Sequence, residues 1–159
     1  MAPPHSPPLE RPLNATPSPV SDEARNLLRR AQQLHSDGKI AEALEAARQA
    51  VSIAPQFFEA WMYLGTTLVT RLLQFRQGLE ALERAQTLAP DDDGLQYSLG
   101  WCYEFVAYRL TKQATKPYRE PEELFDLAMA HLKRCIEITN DQGLKEDAQD
   151  LLASIEARY

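Results

Sequence analysis

The histidines and cysteines are the residues of this sequence best suited to metal or nucleophilic chemistry, and their spacing does not assemble a site. His5, His35 and His131 lie far apart along the chain, and Cys102 and Cys135 have no C-x-x-C spacing. Metal sites need several such ligands at short helical or loop spacings. The sequence therefore predicts neither a metal site nor a bound cofactor.

Sequence motifs for catalysis are also absent. None of the six glycines forms part of a G-x-S-x-G, a Walker loop or a G-x-G-x-x-G. The triplet Asp91-Asp92-Asp93 could bind a cation, but it follows Pro90 and precedes a predicted helix, so capping of that helix explains it. Because no nucleophile, base and orienting group can be named together, we predict that the protein is not an enzyme.

The charge balance restricts the class of partner. The chain has 159 residues, of which 44% are hydrophobic, and its formal net charge is -6. Surfaces that bind nucleic acid or anionic membranes are usually basic, so neither partner is expected. No apolar run approaches the ~20 residues of a membrane span, and the N-terminus lacks the apolar core of a signal peptide. We expect a cytoplasmic protein whose two cysteines are buried thiols rather than a disulfide.

The first twenty residues differ in composition from the rest of the chain. Seven of the eleven prolines lie within the first nineteen residues. Proline removes a backbone donor and disfavours helix in the residue before it. We therefore predict that residues 1–20 form a disordered, proline-rich arm.

Beyond this arm, the sequence contains an internal repeat of helical segments. LEAARQAVSIAP, at residues 44–55, aligns with LEALERAQTLAP, at residues 79–90, with six of twelve positions identical and an offset of 35. The same offset carries Leu64-Gly65 onto Leu99-Gly100. One helix pair cannot bury its apolar face alone, so a repeat of this length predicts stacked pairs.

The repeat resembles the tetratricopeptide-repeat (TPR) family, whose pattern is W-x-x-L-G-x-x-Y, then A-x-x-x-F and a proline. The resemblance covers about residues 22–140 and is carried by the small residues, large apolar residues and terminators of each unit. These are Ala43, Ala47 and Pro55 in the first, Trp61, Leu64, Gly65, Gly78, Leu82 and Pro90 in the second, and Leu99, Gly100, Tyr103, Ala128 and Leu132 in the third, where Asn140 replaces the proline.

The resemblance implies an all-α, right-handed α-solenoid. Three TPR-like helix pairs are expected at residues 22–55, 57–90 and 92–140, with a C-terminal capping helix at 143–159. The third pair is longer than the second, which places an insertion at about 110–124. Its residues Lys116, Tyr118 and Arg119 either project toward a partner or belong to a longer hairpin that stacks on its neighbour.

The resemblance also implies a concave groove that binds another protein, a peptide or helix segment, as in a scaffold, adaptor or assembly factor. Helical spacing selects the residues expected to face the groove. They are Leu28, Gln32, His35, Met62, Thr66, Val69, Tyr97, Trp101 and Glu104. Alternatively, the aromatic residues belong to the core of a long, fully buried helix. A structural subunit or self-associating homo-oligomer is the second functional hypothesis.

One subclass of the family binds the C-terminal carboxylate of heat-shock chaperones through lysine, asparagine and arginine. The corresponding positions of this sequence are expected to be Leu28, Gln32, Tyr63, Leu95 and Leu99. Because none of these residues is cationic, the resemblance does not extend to that ligand. An apolar helix or an extended segment is expected instead.

Overall fold

A computed structural model describes residues 19–159, and within this range the chain forms seven α-helices and no strand. The predicted all-α fold class is confirmed. No helix in this range has both the length and the apolarity needed to cross a bilayer. His5 and nearly all of the predicted arm lie outside the described residues. The helices are α1 (Asp22–Ser36), α2 (Ile40–Ile53), α3 (Phe58–Thr70), α4 (Phe75–Leu88), α5 (Asp93–Thr111), α6 (Pro121–Ile138) and α7 (Gln142–Arg158).

Side-chain caps fix the starts of three of these helices. The Ser21 hydroxyl accepts a hydrogen bond from the backbone N–H of Ala24 at 3.3 Å. The Asp92 carboxylate accepts one from Leu95 at 2.8 Å, which confirms the capping role predicted for the acidic triplet. Asp141 caps α7 in the same way. The terminators also act as predicted, since α2 and α4 each end two residues before a proline.

The helices pack as consecutive hairpins that stack on one another. α1 packs with α2, α3 with α4, and α5 with α6, while α3 also contacts α2 and α5. α7 covers the last pair through contacts with α6 and α5. One cluster of buried side chains lies between the first pair and α3, and a second extends from α3 to α7. Trp61 of α3 packs against both clusters, so side chains pack along the stack from the first pair to α7.

Glycine allows the two helices of the second pair to cross closely. A Cβ atom on Gly65 would lie 2.7 Å from the carbonyl oxygen of Gly78, and one on Gly78 would lie 2.5 Å from Val69 Cγ2. In the third pair, a Cβ on Gly100 would lie 2.6 Å from Leu132 Cγ. The small residues of the repeat are thus explained by the approach of the partner helix.

The additional residues of the third pair, predicted as an insertion at about 110–124, are shared between its two helices and the linker that joins them. α5 has 19 residues against 13 in α3, and α6 has 18 against 14 in α4. Only residues 112–120 form the linker between them. α5 continues because its last turns bury Val106, Ala107 and Leu110 against the neighbouring helices, which stabilises helix over loop.

Candidate functional site

The first helices of the three pairs, α1, α3 and α5, line two adjacent cavities. The cavity between α1 and α3, called here the polar cavity, has a volume of about 330 Å³ and is lined by Gln32, His35, Tyr63, Thr66, Thr67, Thr70 and Arg71. The cavity between α3 and α5, called here the aromatic cavity, has a volume of about 260 Å³ and is lined by Thr66, Thr70, Tyr97, Ser98, Trp101 and Cys102. Thr66 and Thr70 line both cavities, so the two adjoin, and together they are called here the groove.

Hydrogen bonds hold the side chains of the polar cavity in place. His35 Nδ1 lies 3.0 Å from Tyr63 Oη, and His35 Nε2 lies 3.4 Å from Arg71 Nη2. Because a guanidinium can only donate, Nε2 must be the acceptor, and the proton of the neutral ring is assigned to Nδ1. Burial raises the pKa of Tyr63, against the opposing effects of Thr67 and the Arg71 charge. His35 therefore connects the phenol to the guanidinium.

Aromatic rings form the wall of the second cavity. Trp101 is 37% exposed and stacks on Phe105, with ring centroids 5.3 Å apart and planes 11° from parallel. Phe105 in turn meets Phe75 of α4 edge to face at 6.2 Å. One face of the indole is therefore supported by packing while part of the ring is open to solvent. Such a supported aromatic can bury apolar area against a ligand at low entropic cost.

The cysteine of the aromatic cavity is not a nucleophile. Cys102 is 1% exposed, and burial raises the pKa of its thiol to about 12. At neutral pH the thiol therefore stays protonated, whereas thiol chemistry requires the thiolate. Across residues 19–159, no group of three or more His, Cys, Asp or Glu side chains is arranged to hold a metal ion. The groove is suited to non-covalent binding.

Five of the residues predicted to face the groove line these cavities: Gln32, His35, Thr66, Tyr97 and Trp101. Two others occupy intermediate positions. Met62 is half-buried against the second core cluster and lines neither cavity. Glu104 is half-buried and pairs with Arg158 of α7 at 3.3 Å; burial raises the pKa of its carboxyl group and Arg158 opposes this shift.

Other residues assigned to the groove surface belong to the core. Leu28 is 7% exposed and Val69 is fully buried against the crossing of α3 with α4, so their predicted place on the surface is wrong. On α3 the surface row is Tyr63, Thr66 and Thr70, and Val69 is rotated about 100° from Thr70 toward α4.

The positions compared with the chaperone-binding subclass require a similar correction. Leu95 and Leu99 are completely buried, and α5 presents Ser98 to the groove instead. The two leucines therefore belong to the core and not to the groove surface, where Arg71 supplies a cationic side chain.

The linker residues of the third pair fold back on α4. Arg119 pairs with Glu83 of α4 at 2.8 Å and with Glu123 at 3.0 Å. The guanidinium of Arg76 lies over the Tyr118 ring at 4.9 Å from its centroid. Of the three candidates, Lys116 is exposed, whereas Tyr118 and Arg119 are half-buried. The second alternative, a longer hairpin stacked on its neighbour, therefore describes Tyr118 and Arg119.

The groove contains residues that the sequence reasoning did not select. Tyr63 and Thr70 flank Thr66 at helical spacings of three and four, and Ser98 precedes Trp101 by three, so the same periodicity could have found them. Arg71 lies just beyond the end of α3, where no periodicity applies. The position of the Arg71 side chain depends on where the C-terminal end of α3 lies relative to α1.

Comparisons with known proteins support the fold. No family model matches the sequence, and no curated protein matches it. Among solved structures, the chain is similar to the N-terminal domain of stress-induced protein-1 (STI-1) from C. elegans, with a TM-score of 0.53 and 12% sequence identity. The match covers 82% of this chain and 94% of that one. The chain has a helical-repeat fold. At this identity, the similarity extends to the fold alone.

Proposed function

We propose that this chain is a TPR-family protein that binds a segment of another protein in the groove of α1, α3 and α5, and acts as a scaffold, adaptor or assembly factor. The observation that carries the proposal is the position of Trp101, which packs on Phe105, is partly exposed, and lines the aromatic cavity beside the polar cavity. Tryptophan and tyrosine are enriched among the residues that dominate binding energy in interfaces. Two free, buried cysteines support a reducing compartment, and the proposal includes the cytoplasm.

The shape of the groove favours a polypeptide over a small molecule. A small-molecule site usually encloses most of its ligand in one pocket with a few converging polar groups. Here two small, open cavities lie side by side across α3. Successive side chains of one segment can enter the two cavities while its backbone crosses the threonine row.

Site-specific photo-crosslinking in cells of the native host tests this function. A photoreactive amino acid replaces Ser98, which lines the groove, and in a second variant it replaces Arg84, which is exposed on α4. We expect a discrete crosslinked protein from position 98 and none from position 84. Equal crosslinking from both positions would contradict a groove-specific interaction.

The captured protein then allows a quantitative test by calorimetry. Trp101→Ala should weaken its binding by about 30-fold or more, since loss of a central aromatic anchor costs at least about 2 kcal/mol. Tyr108→Ala is the matched control, because Tyr108 is 42% exposed on the same helix but lines neither cavity. Equal affinities for the two variants would refute the groove as the binding surface.

Self-association is a second candidate function, favoured by the outer face of the first pair. A cavity of about 600 Å³ lies there between α1 and α2, and Ile53 at its edge is 44% exposed. Within residues 19–159, no further helix pair covers this face. A second copy of the chain would bury it. Light scattering decides between the alternatives: a monomer near 18.0 kDa excludes stable self-association, and a dimer dissociated by Ile53→Glu supports it.

A further inference from the structure

The groove differs in charge from the rest of the chain. The formal net charge of the protein is -6, yet none of the residues that line the two cavities is an aspartate or glutamate. Arg71 supplies a positive charge there, and across residues 19–159 it makes no ion pair. Arg71 differs from the other arginines of this range that make no ion pair because it alone among them lines these two cavities. A ligand carboxylate would therefore meet an unneutralised cation and no competing acid.

Hydrogen bonds hold the Arg71 guanidinium in a position where it can bind a ligand carboxylate. One nitrogen donates to His35 Nε2 at 3.4 Å, and His35 is itself fixed by Tyr63 at 3.0 Å. A guanidinium has five N–H donors in a planar fork, so several donors stay available to an incoming carboxylate. The contact with His35 reduces the side-chain entropy lost on binding.

The aromatic cavity favours a different ligand side chain from the one that Arg71 would bind. Its wall is made by Tyr97 and Trp101, and the thiol at Cys102 is neutral. An apolar or aromatic side chain would gain buried area there without leaving a charge unpaired. The two cavities therefore prefer an acidic residue and a bulky apolar residue of the same ligand.

The distance between the cavities sets the spacing of these two residues. The cavities occupy consecutive helix–helix contacts on either side of α3, and packed helices lie about 8–10 Å apart. An extended chain advances about 3.3 Å per residue, so the separation corresponds to about three residues.

The threonines between the cavities favour an extended ligand over a helical one. The hydroxyl of Thr66 donates to Met62 O at 2.9 Å, and that of Thr70 donates to Thr66 O at 2.7 Å. Each hydroxyl oxygen keeps the capacity to accept a hydrogen bond. The backbone of an extended segment has free N–H groups to offer, whereas those in the middle of a helix are already used.

We propose that the groove binds an extended segment in which an aspartate or glutamate lies two to three residues from a bulky apolar residue. Arg71 binds the carboxylate, and the aromatic cavity at Trp101 binds the apolar side chain. This inference rests on the proposed function and specifies the chemistry of the partner.

Selection of displayed random 12-residue peptides against the full chain tests the inference. We expect the enriched peptides to combine Asp or Glu with Leu, Met, Phe or Trp at a spacing of two to three. For a selected peptide, Arg71→Gln should lower the affinity at least tenfold, and should have little effect on the same peptide with its acid replaced by the amide. Arg84→Gln, on the exposed face of α4, is the matched control and should leave both affinities unchanged.

The outcomes separate this inference from the function on which it rests. Peptides that depend on Trp101 but show no acidic preference would overturn the inference and leave the groove function in place. If no peptide is enriched, or if binding is insensitive to Trp101→Ala, both fail. A free peptide C-terminus could supply the carboxylate instead of a side chain. We therefore expect amidated and free-carboxylate peptides to bind equally, and loss of binding on amidation would overturn the side-chain assignment.

Discussion

Replacing Gly65 with alanine tests how closely α3 and α4 cross, because two opposing effects act at this position. Alanine favours helix over glycine by about 0.5–1 kcal/mol in a helix interior. The new Cβ, however, would lie 2.6 Å from Leu82 Cγ, 2.7 Å from the carbonyl oxygen of Gly78 and 2.9 Å from the amide nitrogen of Leu82. Two of these three atoms are backbone atoms of α4, so the contact is relieved only if the helices separate.

The steric effect should exceed the gain in helix propensity. Overpacking a tight core typically costs about 1–3 kcal/mol, and separation of α3 from α4 would also loosen the contacts of Val69 with Gly78. Because all three contacts of the new Cβ are shorter than 3.0 Å, we place the cost at about 2–3 kcal/mol, and subtraction of a propensity gain of about 1 kcal/mol leaves a loss of about 1–2 kcal/mol in the free energy of unfolding. For a chain of this size, that loss corresponds to a fall of about 2–8 °C in Tm.

Urea denaturation followed by far-UV circular dichroism measures the effect, with two glycines of α5 for comparison. A Cβ on Gly94 would lie 3.4 Å from Asp92 Oδ1, an ordinary contact, so Gly94→Ala should cause no loss. A Cβ on Gly100 would lie 2.6 Å from Cγ of the buried Leu132 and 3.2 Å from the carbonyl oxygen of Ala128, so Gly100→Ala should also destabilise the fold. A Gly65→Ala protein as stable as the wild type, or as stable as Gly94→Ala, would refute the close crossing.

Three further predictions follow from burial. Leu132→Ala should lower the free energy of unfolding, measured by urea denaturation, by about 2–5 kcal/mol because the Leu132 side chain is fully buried. Leu72 is 42% exposed, so the control variant Leu72→Ala should change the free energy of unfolding by less than about 0.5 kcal/mol. Burial lowers the pKa of His131, with Glu83 opposing, so the unfolded chain binds the proton at higher pH than the folded one. The contribution of neutral His131 to the free energy of unfolding should therefore be fully present above the ordinary pKa of 6.5 and be lost as the pH falls below it. Urea denaturation repeated from pH 8 to 5 should show a shallower decline in stability for His131→Gln than for the wild type. The Cys102 thiol should not react with Ellman's reagent in the folded protein but should react at once in denaturant; rapid reaction without denaturant would contradict its burial.

The hairpins of the repeat could be predicted from the sequence because their signals are local. Helix starts depend on a residue such as Ser21 and the three that follow it, and helix ends depend on terminators such as Pro55 and Pro90. The constant offset of 35 between the repeated segments predicts that the helix pairs stack on one another. A small residue also recurs at a fixed place in the unit, as Gly65 in the second pair and Gly100 in the third.

The groove was predicted only in part because helical periodicity defines a face but not its limits. Val69 and Thr70 are neighbours in sequence, yet the crossing of α4 buries the first and leaves the second beside both cavities. The buried network of Gln96 shows a stronger limit. Gln96 receives a hydrogen bond from His131 at 2.7 Å and donates one to Gln86 at 2.6 Å, contacts that join α5 to α6 and to α4. No local pattern predicts such pairing.

The sequence by itself determined that the chain forms consecutive helical pairs, the third longer than the second, since periodicity, caps and terminators act within one or two turns. Tertiary structure decided which side chains of each helix remain accessible, how the third pair uses its additional residues, and that Arg71 lies beside His35. The physical reason is that exposure and long-range pairing depend on the angle and distance at which helices cross. Those quantities depend on the packing of residues on different helices, such as Gly100 on Leu132, and are not encoded in any one segment.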